Sequence, residues 1–293
     1  MSSSYTRMSF SFGFDLPAEP STTSSATPGA PPLPQPPSPP SSSSTPAGAA
    51  CLVPFVVSVA LPSSRIVPVF GDDGDASMRV VESVAGVMAD VPEWVDLVPG
   101  VYEGGLKVWE SSVDLVRYLR HHNVVQPQHR VLELGCGHGL PGIHALQQGA
   151  ASVTFSDLNE EVLREVTGPN IALNIENTTE LLTRVALVSG DWEAASEMLN
   201  RHAPAAFDVI VSAETFYTPL VTEKLLRTIQ RHLAQQSPGA VAIVAGKRYY
   251  FGTGGSVVEL MGRASALGFQ ARVVASVEDG KSNIRDLIEL TWK

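Results

Sequence analysis

Residues 130–143 read RVLELGCGHGLPGI, and no other segment constrains the fold as much. RVLEL is apolar apart from Arg130 and Glu133, the pattern of a short buried strand. It runs directly into Gly135-Cys136-Gly137-His138-Gly139, and a helical pattern begins at Leu140. Glycines in that position let the backbone approach a ligand and take up φ values that other residues avoid. Strands that end in such a loop belong to open sheets covered by helices, in which ligands lie beyond the carboxyl ends of the strands.

The rest of the chain supports that reading. Periodicity predicts a helix over Ser112–His121, capped by Ser111 or Ser112, and helices over Leu140–Gln148 and Trp192–Arg201. A helix over Glu160–Leu173 is interrupted near Gly168-Pro169, and two more cover Thr222–Ala234 and Ser256–Leu267. Strands are predicted at Ser152–Ser156, Val185–Val188, Phe207–Ser212, Ala240–Ala245, Gln270–Ser276 and Asp286–Thr291. Alternating strands and helices imply an α/β fold with a mainly parallel sheet.

The amino-terminal third is different. Eleven of the 22 prolines fall between Pro17 and Pro46, among many serines. Residues 15–50 have too few apolar side chains to offset ordering entropy, so 1–50 is expected to be a mostly disordered tail. Within it, Met8–Phe14 (MSFSFGF) has three alternating phenylalanines that would suit a short added strand. Residues 51–100 read as a β addition and linker: Pro-punctuated apolar runs over 51–72 suggest a hairpin or edge strands, and 78–98 gives no clear pattern. Residues 101–293 form the main domain.

Carboxylates mark the ends of three successive strands. Glu133 precedes the glycine loop, Asp157 follows the second strand, and Asp191-Trp192 follows the third. An acid in the second position accepts from ribose hydroxyls. In the third, an acid can receive an adenine amino group while the aromatic flanks the ring. A dinucleotide site would want glycine at the sixth position of the loop, where Leu140 stands, so the spacing favours S-adenosylmethionine over NAD. Each acid alone reads equally well as a helix cap; three in register are hard to assign to chance. The fourth strand ends in Ser212-Ala-Glu214-Thr-Phe-Tyr217, where the transferred group would sit. His138, inside the glycine loop, reads as incidental. The seven histidines show no trustworthy ligand spacing, so no metal is expected.

Composition excludes several classes. Twenty Lys+Arg against 30 Asp+Glu give a net charge of −10, unsuited to coating nucleic acid. Two cysteines make no disulfide framework, which fits a reducing compartment. The longest apolar run, Cys51–Leu61, is broken by Pro54 and is too short for a bilayer, and the start lacks a signal-peptide pattern.

Several blocks together resemble the histidine protein methyltransferase family, a branch of the seven-β-strand protein methyltransferases. They are MSFSFGF at 8–14, VYEGGLKVWE at 101–110, VLELGCGHGLPGI at 131–143, SDLNEEVLREVTGPN at 156–170, SGDW at 189–192, SAETFY at 212–217 and YYFGTGGS at 249–256. The resemblance implies a Rossmann-like sheet in the order 3-2-1-4-5-7-6 with the seventh strand antiparallel, and S-adenosylmethionine as cofactor. Lys107, Trp109, Glu133, Gly135, Gly137, Asp157, Asn159, Asp191, Trp192 and Ser212 would bind it. Glu214 and Tyr217 would serve catalysis, with Tyr250 as a wall of the site and residues 251–256 as the substrate lip. The implied substrate is a histidine in a basic large-subunit ribosomal protein, modified by a monomer in cytoplasm and nucleus without direct nucleic-acid or membrane binding. A lysine methyltransferase of the same superfamily, or a non-catalytic cofactor-binding assembly module, are the rival readings.

Overall fold

The computed structural model describes residues 50–54, 66–69, 78–81, 96–176, 183–202, 207–280 and 282–293. The expectations for Met8–Phe14 and for residues 15–49 lie outside them. All described residues fall within the unit Ser44–Lys293.

The strands are β1 (Cys51–Val53), β2 (Ile66–Pro68), β3 (Arg79–Val81), β4 (Arg130–Leu134), β5 (Ser152–Asp157), β6 (Val185–Ser189), β7 (Val209–Ala213), β8 (Val241–Lys247), β9 (Phe269–Val277) and β10 (Arg285–Trp292). The helices are α1 (Glu110–His121), α2 (Leu140–Gln147), α3 (Glu160–Val162), α4 (Gly168–Asn174), α5 (Trp192–His202), α6 (Pro219–His232) and α7 (Val257–Ala266), with a π-helical turn at Leu163–Thr167. One sheet runs β1-β6-β5-β4-β7-β8-β10-β9, and β2 pairs with β3 apart from it. Strands β4 to β8 are parallel to one another, whereas β10 lies antiparallel between β8 and β9. Without β1, the sheet reads third-second-first-fourth-fifth-seventh-sixth when counted from β4. The eighth strand is β1, which pairs antiparallel with β6 (Cys51 opposite Ser189) and closes that edge before Pro54.

Alternation along β4 fills both faces. Val131 packs with Leu115, Ile143 and Phe155 on the α1–α2 side, and Leu132 packs with Ile210, Leu225 and Leu260 on the α5–α7 side. Glu133 shares the face of Val131, so its carboxylate meets the start of α2. The helices begin where local chemistry allows. Thr218 caps α6 by accepting from Val221 N at 3.1 Å, and Ser256 caps α7 by accepting from Glu259 N at 3.2 Å. Helix α1 departs from expectation: it starts at Glu110 with Trp109 as cap and no side-chain cap bond. Ser112 Oγ donates to Trp109 O, and Ser111 is freed for another contact.

The segment without a clear pattern contains β3. Its backbone is held by two side chains of α4: Asn170 Oδ1 accepts from Val81 N at 2.9 Å, and Asn174 Oδ1 accepts from Arg79 N at 2.9 Å. Both asparagines lie on one face of the helix.

A buried ion pair ties the carboxy-terminal hairpin to α1. Arg285 Nε donates to Asp114 Oδ2 at 2.6 Å, with both side chains about one-twentieth exposed. Asp114→Ala leaves the guanidinium with Asp279 as its remaining carboxylate at 3.2 Å. Breaking such a pair costs about 3–5 kcal/mol. Urea denaturation at pH 7 should therefore show a midpoint lowered at unchanged slope.

Candidate functional site

The carboxyl ends of β4, β5, β6 and β7 open into a cleft of about 870 Å³. Its floor is the glycine loop, in which Gly135, Gly137 and Gly139 all have positive φ. Its roof is the segment Tyr102–Trp109. Tyr102 is buried, and its hydroxyl accepts from Leu106 N at 3.1 Å, which fixes the crossing. Roof and floor meet closely: a Cβ on Gly137 would lie 3.2 Å from Gly105 O. The π turn completes the floor, because it lets Thr167 Oγ1 reach Gly137 O at 2.6 Å.

Three carboxylates sit where the three strands end, in three different states. Glu133 Oε2 accepts from Gly142 N at 2.8 Å. Burial, and secondarily the charge of Asp157, push its pKa well above the usual carboxylate range. Asp157 Oδ2 accepts from Gly137 N at 2.9 Å and Oδ1 from Asn159 N at 3.2 Å. Burial raises its pKa to about 6, against those two bonds. Asp191 Oδ1 accepts from Glu193 N at 3.0 Å, and Lys224 holds Oδ2 at 2.7 Å.

A second group of side chains gathers at the end of β7. Glu214 has a φ of 60°, in the left-handed region. Its amide donates to Ala245 O at 2.8 Å. Its carboxylate accepts from the Ser111 hydroxyl and, at 2.7 Å, from the Tyr250 hydroxyl. Tyr217 donates to Glu103 across the cleft. Burial, followed by the adjacent carboxylates, raises the pKa of both tyrosines, so they serve as donors and not as bases. Trp109 Nε1 donates to Gly104 O at 3.0 Å, and its ring carries two ammonium groups, Lys107 at 4.4 Å and Lys247 at 5.1 Å. Tyr249 and Phe251 stand at the mouth, 51% and 83% exposed.

The cleft brings together Lys107, Trp109, Glu133, Gly135, Gly137, Asp157, Asp191, Trp192, Glu214 and Tyr217. Asn159 and Ser212 are not among its lining residues. Asn159 Nδ2 donates instead to Val101 O at 2.7 Å, and Ser212 is fully buried, donating to Leu134 O at 2.7 Å. Glu103, Ser111, Lys224 and Lys247 were not singled out as site residues from sequence. Their partners are distant along the chain. The only local signal was that Glu103 and Ser111 lie in or beside the YEGGLKVWE block.

S-adenosylmethionine fits these residues. The glycine cradle excludes side chains, Asp157 is an acceptor beside it, and Asp191 is an acceptor held in place by Lys224. Asp157 must be ionised to accept from two hydroxyls. Affinity for S-adenosylhomocysteine, followed by calorimetry, should weaken about tenfold per pH unit below about 6 and level off above it. Asp157→Asn should bind weakly at every pH. The same shift acts oppositely on stability: burying the protonated acid is favoured, and that contribution is lost as pH rises through about 6.

Among the described residues, no helix is long and apolar enough to cross a membrane. A family model described as lysine methyltransferase matches residues 100–251. A histidine protein methyltransferase 1 homolog of Dictyostelium discoideum is 39% identical over 204 residues, covering 68% of this chain and 61% of that protein. The homolog of Rattus norvegicus is 35% identical over 68% of this chain and 59% of that protein. Histidine protein methyltransferase 1 of Schizosaccharomyces pombe is 28% identical over 72% of each. The chain thus spans about three-fifths of the length of the first two relatives.

Proposed function

The chain belongs to the lysine methyltransferase family, and we propose that it transfers a methyl group from S-adenosylmethionine to a histidine imidazole of a protein. The observation that carries this reading is the Glu214 carboxylate, held in the cleft by two hydroxyl donors with lone pairs to spare. When bound, the cofactor supplies an activated methyl group. A neutral imidazole near pH 7 is already nucleophilic, so the protein must select a tautomer and a direction of attack. Glu214 accepts the N–H of one ring nitrogen and leaves the lone pair of the other toward the methyl. After transfer, that N–H is the acidic proton of the imidazolium and passes through Glu214 to water. Trp109 and Tyr250 wall the ring, and Tyr249 and Phe251 form the lip that meets the polypeptide.

A lysine would arrive as an ammonium and need a base before attack. The two tyrosines at the site hold their protons more tightly than usual and do not serve as one, whereas a histidine needs no proton removed until the methyl has been transferred. The names of the relatives support histidine as well. We place the substrate among basic ribosomal proteins of the large subunit, since a net charge of −10 steers a cationic partner. The enzyme would act on them as a monomer in cytoplasm and nucleus. The test is to incubate the chain with methyl-labelled S-adenosylmethionine and ribosomal proteins, then locate the label by mass spectrometry. Label on histidine is expected. Label on lysine, or cofactor binding with no label, would overturn the reading.

A further inference from the structure

Trp109, Tyr250 and Glu214 line the cleft together. Aromatic faces and a carboxylate make a receptacle for an ammonium group. Such a set would draw a lysine side chain ahead of a neutral imidazole. Lys247, which also lines the cleft, changes that preference. Its ammonium lies 5.1 Å from the centre of the Trp109 ring and 5.7 Å from that of Tyr250, so the cation that the two rings attract is one the protein supplies itself. The backbone fixes it there. Lys247 ends β8, and its amide donates to the Tyr250 hydroxyl at 3.2 Å, which in turn donates to Glu214 at 2.7 Å. No carboxylate pairs with this ammonium among the described residues, whereas Lys107, the other cation over Trp109, is held by Asp96 at 3.3 Å. Tyr217, its ring 6.5 Å from that of Tyr250, donates to Glu103. Lys247 is therefore the cation set against Glu214. A neutral guest leaves that pair undisturbed, and a cationic guest adds a second ammonium to rings already faced by one.

Resting on the histidine reading above, we infer that Lys247 determines specificity: its ammonium admits a neutral imidazole beside Glu214 and rejects a lysine ammonium or an imidazolium. Two unit charges about 6 Å apart, at an effective dielectric of about 20, repel enough to discriminate about a hundredfold. A neutral ring escapes that repulsion. The bound histidine also holds a proton less readily, so it stays nucleophilic to lower pH.

The test follows labelling of ribosomal-protein histidine by the full chain, with two small inhibitors that mimic the rival side chains. At about pH 8.5 n-butylammonium is a cation and imidazole is neutral. Lys247→Met removes the charge at similar length, Lys247→Arg keeps it, and Lys247→Gln repeats the neutral case if the methionine variant melts early. The neutral variants should lower the inhibition constant of n-butylammonium at least about tenfold and leave that of imidazole within about twofold. Lys247→Arg should match the parent for both. The pH profile of kcat reports groups in the bound complex, and removing a cation raises the pKa of a nearby base. Its acid limb should therefore move up by about one unit in the neutral variants and stay in place in Lys247→Arg. Inhibition constants that shift together, or an acid limb that does not move, would overturn the inference. So would a tenfold loss of S-adenosylhomocysteine affinity by calorimetry in the neutral variants, which would assign Lys247 to the cofactor instead. If the parent chain labels no histidine, the histidine reading itself falls and takes this inference with it; if it does, the variants judge the inference alone.

Discussion

Gly135→Arg abolishes binding of S-adenosylhomocysteine, with an expected loss of affinity above about a thousandfold and no methyl transfer. Gly135 has φ +64°, and a Cβ built there would stand 2.6 Å from Thr215 Cγ2. Thr215 cannot step aside. Its Oγ1 is bonded to Ser212 Oγ at 2.6 Å, and Ser212 is anchored to Leu134 O in the core. A side chain must therefore reshape the loop or occupy the ligand's space, and the left-handed backbone adds about 1–2 kcal/mol of strain. Gly135→Ala separates the two effects. It should weaken binding about ten- to a hundredfold, since it adds the clash and the strain without filling the cleft. Calorimetry measures both variants. Ligand-free melting temperatures within a few degrees of the parent would show that the loop, and not the fold, has failed.

Glu214→Gln separates chemistry from cofactor binding. The expected outcome is a fall in kcat of at least about a hundredfold, with S-adenosylhomocysteine affinity nearly unchanged. The amide keeps the volume but loses the charge, and one end becomes a donor facing the Ser111 or Tyr250 hydroxyl. On the proposed histidine reaction, the substrate N–H then meets a weaker acceptor, and the product imidazolium loses its counter-charge. Glu214 also occupies a backbone conformation that a non-glycine residue reaches at a cost of about 1–2 kcal/mol. Such strain at the end of β7 persists where the side chain's direction matters. Single-turnover kinetics and calorimetry check the split. A variant retaining more than about half of the parental rate would remove Glu214 from the mechanism.

The sheet and the floor of the cleft were legible because periodicity and glycine spacing are local properties. RVLEL, the alternation on β4 and the acids ending β5 and β6 could be read without knowing what they touch. The expectations went astray where a long-range partner decided the outcome. Ser212 ends a strand beside the site, but it faces the carbonyl of Leu134, 78 positions away, and is closed off from the cleft. Ser111 suited a helix cap, yet it turns to Glu214, 103 positions on. β3 has three residues and carried no period of its own. It is held by Asn170 and Asn174, which follow the helix interruption expected near Gly168-Pro169.

Strand β1 also bears on how the protein behaves in a tube. A fragment beginning after Pro54 would leave β6 with a row of unpaired amides and carbonyls at the rim of a parallel sheet. Such a rim recruits strands from other molecules, so the shortened protein should self-associate as its concentration rises. Gly190 abuts Ala50 and leads into Asp191, so the same deletion would loosen the Asp191 side of the cleft. Colloidal behaviour and ligand affinity are coupled here through three residues of chain, and size-exclusion profiles of fragments starting at 50 and at 55 would show it.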